Sequence, residues 1–215
     1  MTNPRPADSE QLAVRAPGTR MRLFFGAALV ALTADLVSKV LVVAHIEQTD
    51  PGIRLLGGAL YLVQARNSGA AFSVGTGATI VLTAISIIVI AIVLRAARRL
   101  TSSGWAVALG LVLGGAMGNL VDRLLRSPSP GRGHVVDWIS VLANDGHVWP
   151  IFNLADSAIV TGAVLAVLLS LRGVEFSSAP GRPADEPAVP SEDSATPSDD
   201  PVEPPKDPVE RRSHD

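Results

Sequence analysis

The 215 residues include no cysteine. That excludes a disulfide framework, a thiol nucleophile and any cysteine-ligated metal or iron–sulfur site. Histidine is scarce as well. The four residues His45, His134, His147 and His214 are scattered, and no HExxH pattern links any of them to zinc-protease chemistry. A GxSxG nucleophile elbow is absent. The glycines of VGTGATI (74–80) fail the third position of a dinucleotide loop and stand directly before an apolar run. Charge is the other shortage. Charged residues make up 18% of the chain, where a soluble domain carries about a quarter.

The few charges are unevenly spread. Residues 173–215 hold 11 acidic and 4 basic residues, whereas residues 1–172 hold 9 acidic and 14 basic. A net charge of −2 thus hides an acidic tail on a basic, apolar body. The tail carries nine prolines and too little apolar surface to fold, so residues 173–215 read as a disordered segment. The polar lead 1–21 reads the same way. The apolar run after Arg22 lacks a small-residue cleavage site and continues into Asp35 and Lys39, which argues against a removable secretory signal.

Between the tails, four stretches approach the ~20 apolar residues that cross a bilayer. They run roughly over Leu23–Ala44, Ala78–Leu94, Trp105–Leu125 and Phe152–Leu171. The expected fold is an all-α polytopic membrane protein of four transmembrane helices. Arg5, Arg15, Arg20, Arg22, Arg95, Arg98, Arg99 and Arg172 fall on one side, which favours cytoplasmic termini. Residues 53–74 hold β-compatible runs broken by Gly57-Gly58 and Asn67-Ser68-Gly69. They predict a small extracytoplasmic β platform. The stretch HVVDWISVLAN (134–144) reads as a short amphipathic element at the interface. Trp105 is expected at the inner interface, and Trp138 and Trp149 at the outer one.

Ionisable residues in spans are costly and usually face a functional interior. Here Asp35 and Lys39 share a helix face at i, i+4. Asn119 and the Asp122-Arg123 pair lie near the end of the third span. Asn153 and Asp156 open the fourth, and Asn67 and Asp137 lie in the connecting loops. All map to one face of the membrane, which points to a single site. Plainer alternatives exist: a packing ion pair for Asp35 and Lys39, interhelical bonding for the asparagines, an interfacial pair for Asp122-Arg123, and caps or arginine partners for Asp137 and Asp156.

Five motifs can then be read in series: TADLVSK (33–39), RNSGAAFS (66–73), GGAMGNLVDR (114–123), HVVDWI (134–139) and PIFNLADSA (150–158). In this order on four spans, over roughly residues 22–172, the chain resembles the lipoprotein signal peptidases (signal peptidase II). The resemblance implies a membrane aspartyl endopeptidase that removes the signal peptide of prolipoproteins just before a diacylglyceryl-modified cysteine. It implies a catalytic pair at Asp137 and Asp156, supported by Asp35, Lys39, Asn67, Asn119, Asp122, Arg123 and Asn153. Asp122 also matches a family position and competes with Asp137. Asp137 is preferred because its loop can approach the start of span four. The Ser-, Pro- and Gly-rich link before HVVDW is longer than the family's, which either shifts Asp137 or adds a surface loop.

No cofactor and no metal are expected. The expected partners are prolipoproteins carrying diacylglyceryl-cysteine and membrane lipid, with no nucleic acid, and the expected state is a monomer. The expected location is a bacterial cytoplasmic membrane, with the site at the extracytoplasmic face. The rival class is a proton or ion relay, or a transport-type protein, using the same acids. A relay should distribute its acids through the depth of the membrane.

Overall fold

The computed structural model describes residues 17–69 and 77–176. Of the segments expected to be disordered, 1–16 and 177–215 lie outside the described residues, whereas residues 17–21 form the first turns of a helix and Val174 is hydrogen-bonded to Trp105. Four long helices dominate: α1 (Pro17–His45), α2 (Gly77–Ala97), α3 (Ser103–Leu125) and α4 (Leu154–Leu171). Each is long and apolar enough to cross a membrane. The shortest, α4, has 18 residues and so spans about 27 Å, close to a hydrocarbon core of ~30 Å. Outward-facing side chains such as Leu29, Ile88 and Val164 are exposed, as expected where the solvent is lipid.

Helix α3 is the hub and packs against the other three. Its small residues make this possible. A Cβ added at Gly114 would collide with the carbonyl oxygen of Ala28 on α1, and one at Gly115 with that of Ala155 on α4. Removing the side chain lets the backbones approach, which is how helices associate where hydrophobicity provides no drive. Phe24 and Ala28 of α1, Val93 and Ala97 of α2, and Ala106 and Leu113 of α3 form a buried apolar cluster between these helices.

The connecting segments build a three-stranded antiparallel sheet in the order β1 (Ile53–Leu55), β2 (Leu60–Asn67), β3 (Val135–Val141). Gly57 and Gly58 turn the chain between β1 and β2 with φ of 69° and 102°, a region where glycine carries no Cβ penalty. The β platform expected over 53–74 thus forms, with its described part ending at Gly69. The expectation for 134–144 needs correcting. VVDWISV is no separate interfacial element but the third strand of the platform, pairing Ala65 with Asp137 and Asn67 with Val135. Its β-branched and aromatic residues suit a half-buried pleated surface. Val136 packs with Val42 of α1 and with Ile46 just beyond its end, fixing the sheet to one end of the bundle.

Strand β3 is paired on its other edge too. Trp138 and Ile139 donate to the carbonyl of Phe152 at 2.9 and 2.8 Å, and Phe152 donates back to Ile139 at 3.0 Å. This pairing brings the residue before α4, Asn153, to the flank of β3. The long link after α3 folds back on that helix: Gly133 donates to Arg123 O at 2.9 Å and His134 to Ser127 O at 3.1 Å. Thr83 of α2 donates to Gly131 O at 3.1 Å, so the link is a surface loop tied to two helices. At the opposite end, Trp105 donates its indole N–H to Val174 O at 2.9 Å.

Candidate active site

The C-terminal ends of α1 and α3, the N-terminal end of α4 and the sheet converge, and the nine residues singled out in the sequence meet there. Asp137 on β3 is 2% exposed. Each of its carboxylate oxygens accepts one amide bond, Oδ1 from Asn153 at 2.6 Å and Oδ2 from Asn67 at 2.9 Å. Asn67 is itself oriented, because its side-chain oxygen accepts from Gly69 N at 2.8 Å. With that oxygen occupied, the NH₂ group is left to face Asp137.

Asp156 sits in the first turn of α4, where the helix dipole favours negative charge. Asn153 is the N-cap of a reciprocal capping box. Its Oδ1 accepts from Asp156 N at 2.9 Å, and Asp156 Oδ2 accepts from Asn153 N at 3.3 Å. Asp156 Oδ1 accepts from Asn119 Nδ2 at 2.7 Å. One asparagine, Asn153, therefore contacts both carboxylic residues.

A buried charge network lies behind this pair. Lys39 is fully buried and contacts Asp35 at 2.7 Å and Asp122 at 2.9 Å. It also donates to Asn119 Oδ1 at 3.1 Å. Asp35 Oδ1 accepts from Ala155 N at 2.9 Å, satisfying a first-turn donor of α4. Asp122 Oδ2 accepts from Val136 N at 3.2 Å, which ties α3 to β3. The expected pairing of Asp122 with Arg123 does not form among the described residues. Adjacent helix residues do not face each other, and Asp122 pairs instead with Arg126 at i, i+4. Arg123 turns to Asn119 O at 3.2 Å. Arg126 was missed in the sequence, although DRLLR carries the same i, i+4 spacing that marked Asp35 and Lys39.

The two candidates for one role are thus in different settings. Asp122 is held by two cations and a backbone N–H. Asp137 meets only amide donors directly, and burial pushes its carboxyl up to about 6. The neighbouring charge of Asp156 pushes the same way, while the Asn67 and Asn153 amides and the charge of Lys39 oppose it. Asp137 and Asp156 both line one cavity of about 790 Å³, whose other walls include Val141, Leu142, Trp149 and Val160. Leu142 and Trp149 are 62% and 61% exposed, giving the cavity an apolar lip. Two carboxyl groups beside an apolar cavity can divide acid and base roles when their proton affinities differ. Among the described residues, no cluster of three or more His, Asp or Glu could hold a metal ion.

The family model for signal peptidase (SPase) II matches residues 27–172. The chain belongs to the signal peptidase II family. The match contains every residue of the network. Relatives named lipoprotein signal peptidase include that of Mycobacterium tuberculosis (strain ATCC 25618 / H37Rv), 46% identical over 79% of this chain and 81% of the relative. That of Rhodococcus jostii (strain RHA1) is 50% identical over 73% of this chain and 76% of the relative. The fold is similar to a bacterial membrane enzyme solved by the in meso method at 1.9 Å. The TM-score is 0.60 at 28% identity, covering 72% of this chain and 94% of that one. As a member of this family the chain is a peptidase, and its four apolar helices fit a bacterial membrane protein.

Proposed function

We propose that this protein is an aspartyl endopeptidase that cleaves diacylglyceryl-modified prolipoproteins immediately before the lipidated cysteine. The observation that carries the reading is the pair Asp137 and Asp156 on one cavity, joined through Asn153. The family and the names of its relatives support the substrate class.

Hydrolysis by this pair needs one ionised and one neutral carboxyl group. The ionised group takes a proton from water as the water oxygen bonds to the scissile carbonyl carbon. The neutral group gives its proton to the carbonyl oxygen, forming a tetrahedral diol. On collapse the C–N bond breaks, and the amine leaves with a proton returned from the pair. Asn119 and Asn153 hold the carboxylates, and Arg123 lies within electrostatic reach of both. Because the two groups interact, the proton belongs to the pair rather than to one residue.

The site lies at the extracytoplasmic face on this reading, with both termini cytoplasmic, as the arginine bias favours. Residues 22–172 form the peptidase body on this reading. The enzyme works as a monomer. The substrate's acyl chains stay in the outer leaflet, each buried CH₂ contributing ~0.8 kcal/mol, and the apolar lip at Leu142 and Trp149 suits their approach. A proton relay is disfavoured because the acids gather at one end of the bundle. The test compares kcat/KM for lipid-modified and unmodified precursor in one bilayer system. The modified precursor should be strongly preferred, and equal values would reject the lipid-dependent site.

A further inference from the structure

A second cavity lies on the other face of strand β2. Successive strand residues point to opposite faces. Asn67 lines the cavity of the aspartate pair, while its neighbour Arg66 lines a separate cavity of about 510 Å³. The other walls are Gln48, Leu125, Arg126, Ser127 and His134. Among the described residues, no acidic side chain lines it. The motif RNSGAAFS opens with this arginine, and the chemistry of Asp137 and Asp156 makes no use of it.

The charges here do not cancel. Asp35, Lys39, Asp122 and Arg126 are two anions and two cations in contact, and so are neutral as a group. Arg66 is the surplus, with no ion-pair partner among the described residues. With the Gln64 amide turned to donate to Ile46 O, its oxygen accepts from Arg66 at 3.3 Å. Burial and the nearby Arg126 cation lower the proton affinity of Arg66, and the charge of Asp122 only partly opposes them. Arg126 is fixed through Nε to Asp122, which leaves its terminal N–H groups available. Two guanidinium forks, an amide, a hydroxyl and an imidazole offer donors from several directions. That suits a tetrahedral oxyanion better than a planar one, and arginine forks match phosphate oxygens in pairs.

The position narrows the source of that anion. Leu125, on the last turn of α3, is 80% exposed at the cavity wall, so the donors sit beside an apolar surface at the end of a spanning helix. Headgroup phosphates occupy that depth of a membrane. We propose that Arg66, Arg126, His134, Gln48 and Ser127 form a phosphate-binding site, filled by the headgroup of an anionic phospholipid or by free phosphate. The site is distinct from the aspartate pair and stands whether or not the catalytic assignment holds.

The test uses the purified full chain in a non-ionic detergent. Affinities for phosphatidylglycerol and phosphatidylcholine are read by native mass spectrometry, with inorganic phosphate as competitor. The wild type should prefer phosphatidylglycerol. Arg66→Gln should weaken its binding about tenfold, the size of a lost charge-assisted hydrogen bond, and His134→Ala should weaken it less. Displacement of the lipid by inorganic phosphate would assign the cavity to the phosphate group alone. Retention of the lipid would assign it to the headgroup with its acyl chains. Either result supports the site. Equal affinity of the wild type for the two lipids, or phosphatidylglycerol binding unchanged in both folded variants, would overturn it.

Discussion

Lys39 donates to the side-chain oxygen of Asn119 at 3.1 Å and so fixes which way that amide points. The NH₂ group is left for Asp156, which accepts from it at 2.7 Å. A lysine buried in α1 thereby orients a carboxylate on α4 that it does not touch. The same ammonium is in contact with both Asp35 and Asp122. Removing one partner of a buried ion pair leaves an uncompensated charge, which costs about 3–5 kcal/mol. Lys39→Met should therefore lower stability by that order. Asp35→Asn, which leaves Lys39 its contact with Asp122, should cost less. Thermal unfolding of the two variants in one detergent checks the ranking.

Asn153 joins a structural task to a positioning one. Its oxygen caps α4, and its NH₂ group holds Asp137. Serine is also a good N-cap but cannot supply that second donor. Asn153→Ser should keep stability within about 1 kcal/mol of wild type. Its turnover should fall about 10²–10³-fold, as when one preorganised donor is lost. Equal losses in unfolding temperature and turnover would mean that the residue acts only as a cap.

The Asp137 carboxyl is raised from 3.8 to about 6, chiefly by burial. Its sign is opposite to the usual paired carboxylate, because the folded state binds this proton more tightly than the unfolded state. Its contribution to stability is greatest at low pH and declines as pH rises from about 4 to about 6. The decline is on the order of 3 kcal/mol. The unfolding temperature of Asp137→Asn relative to wild type should therefore rise across that window. The kcat/KM profile should fall on its alkaline limb near an apparent pKa of about 6, where the singly protonated pair loses its proton. A stability difference independent of pH would reject the raised carboxyl.

Much of this arrangement was legible in the sequence, for identifiable reasons. The spans follow from long apolar runs, and the gathering of polar residues at one end follows from span alternation. The Lys39–Asp35 contact follows from i, i+4 spacing alone. Strand β3 was not legible as a strand. HVVDWISVLAN is short and mixed, and its pairing depends on β2, seventy residues earlier in the Asn67–Asp137 bond, and on Phe152. Local pattern cannot report such non-local bonds. The partner of Asp122 was misread for a different reason: adjacency in sequence suggested Arg123, whereas helix geometry favours Arg126.

The central claim is that Asp137 and Asp156 act together and that Asp122 does not. Single-turnover cleavage of a diacylglyceryl-modified precursor, with wild type, Asp137→Asn, Asp156→Asn and Asp122→Asn in the same bilayer system, tests it most directly. Asp137→Asn and Asp156→Asn should each lose about 10⁴-fold or more with the fold retained. Asp122→Asn should show reduced stability but measurable cleavage, because the Asp122 carboxylate is already held by Lys39, Arg126 and Val136 N. Near-normal cleavage by Asp137→Asn or Asp156→Asn would contradict the central claim, as would a folded but inactive Asp122→Asn beside an active Asp137→Asn.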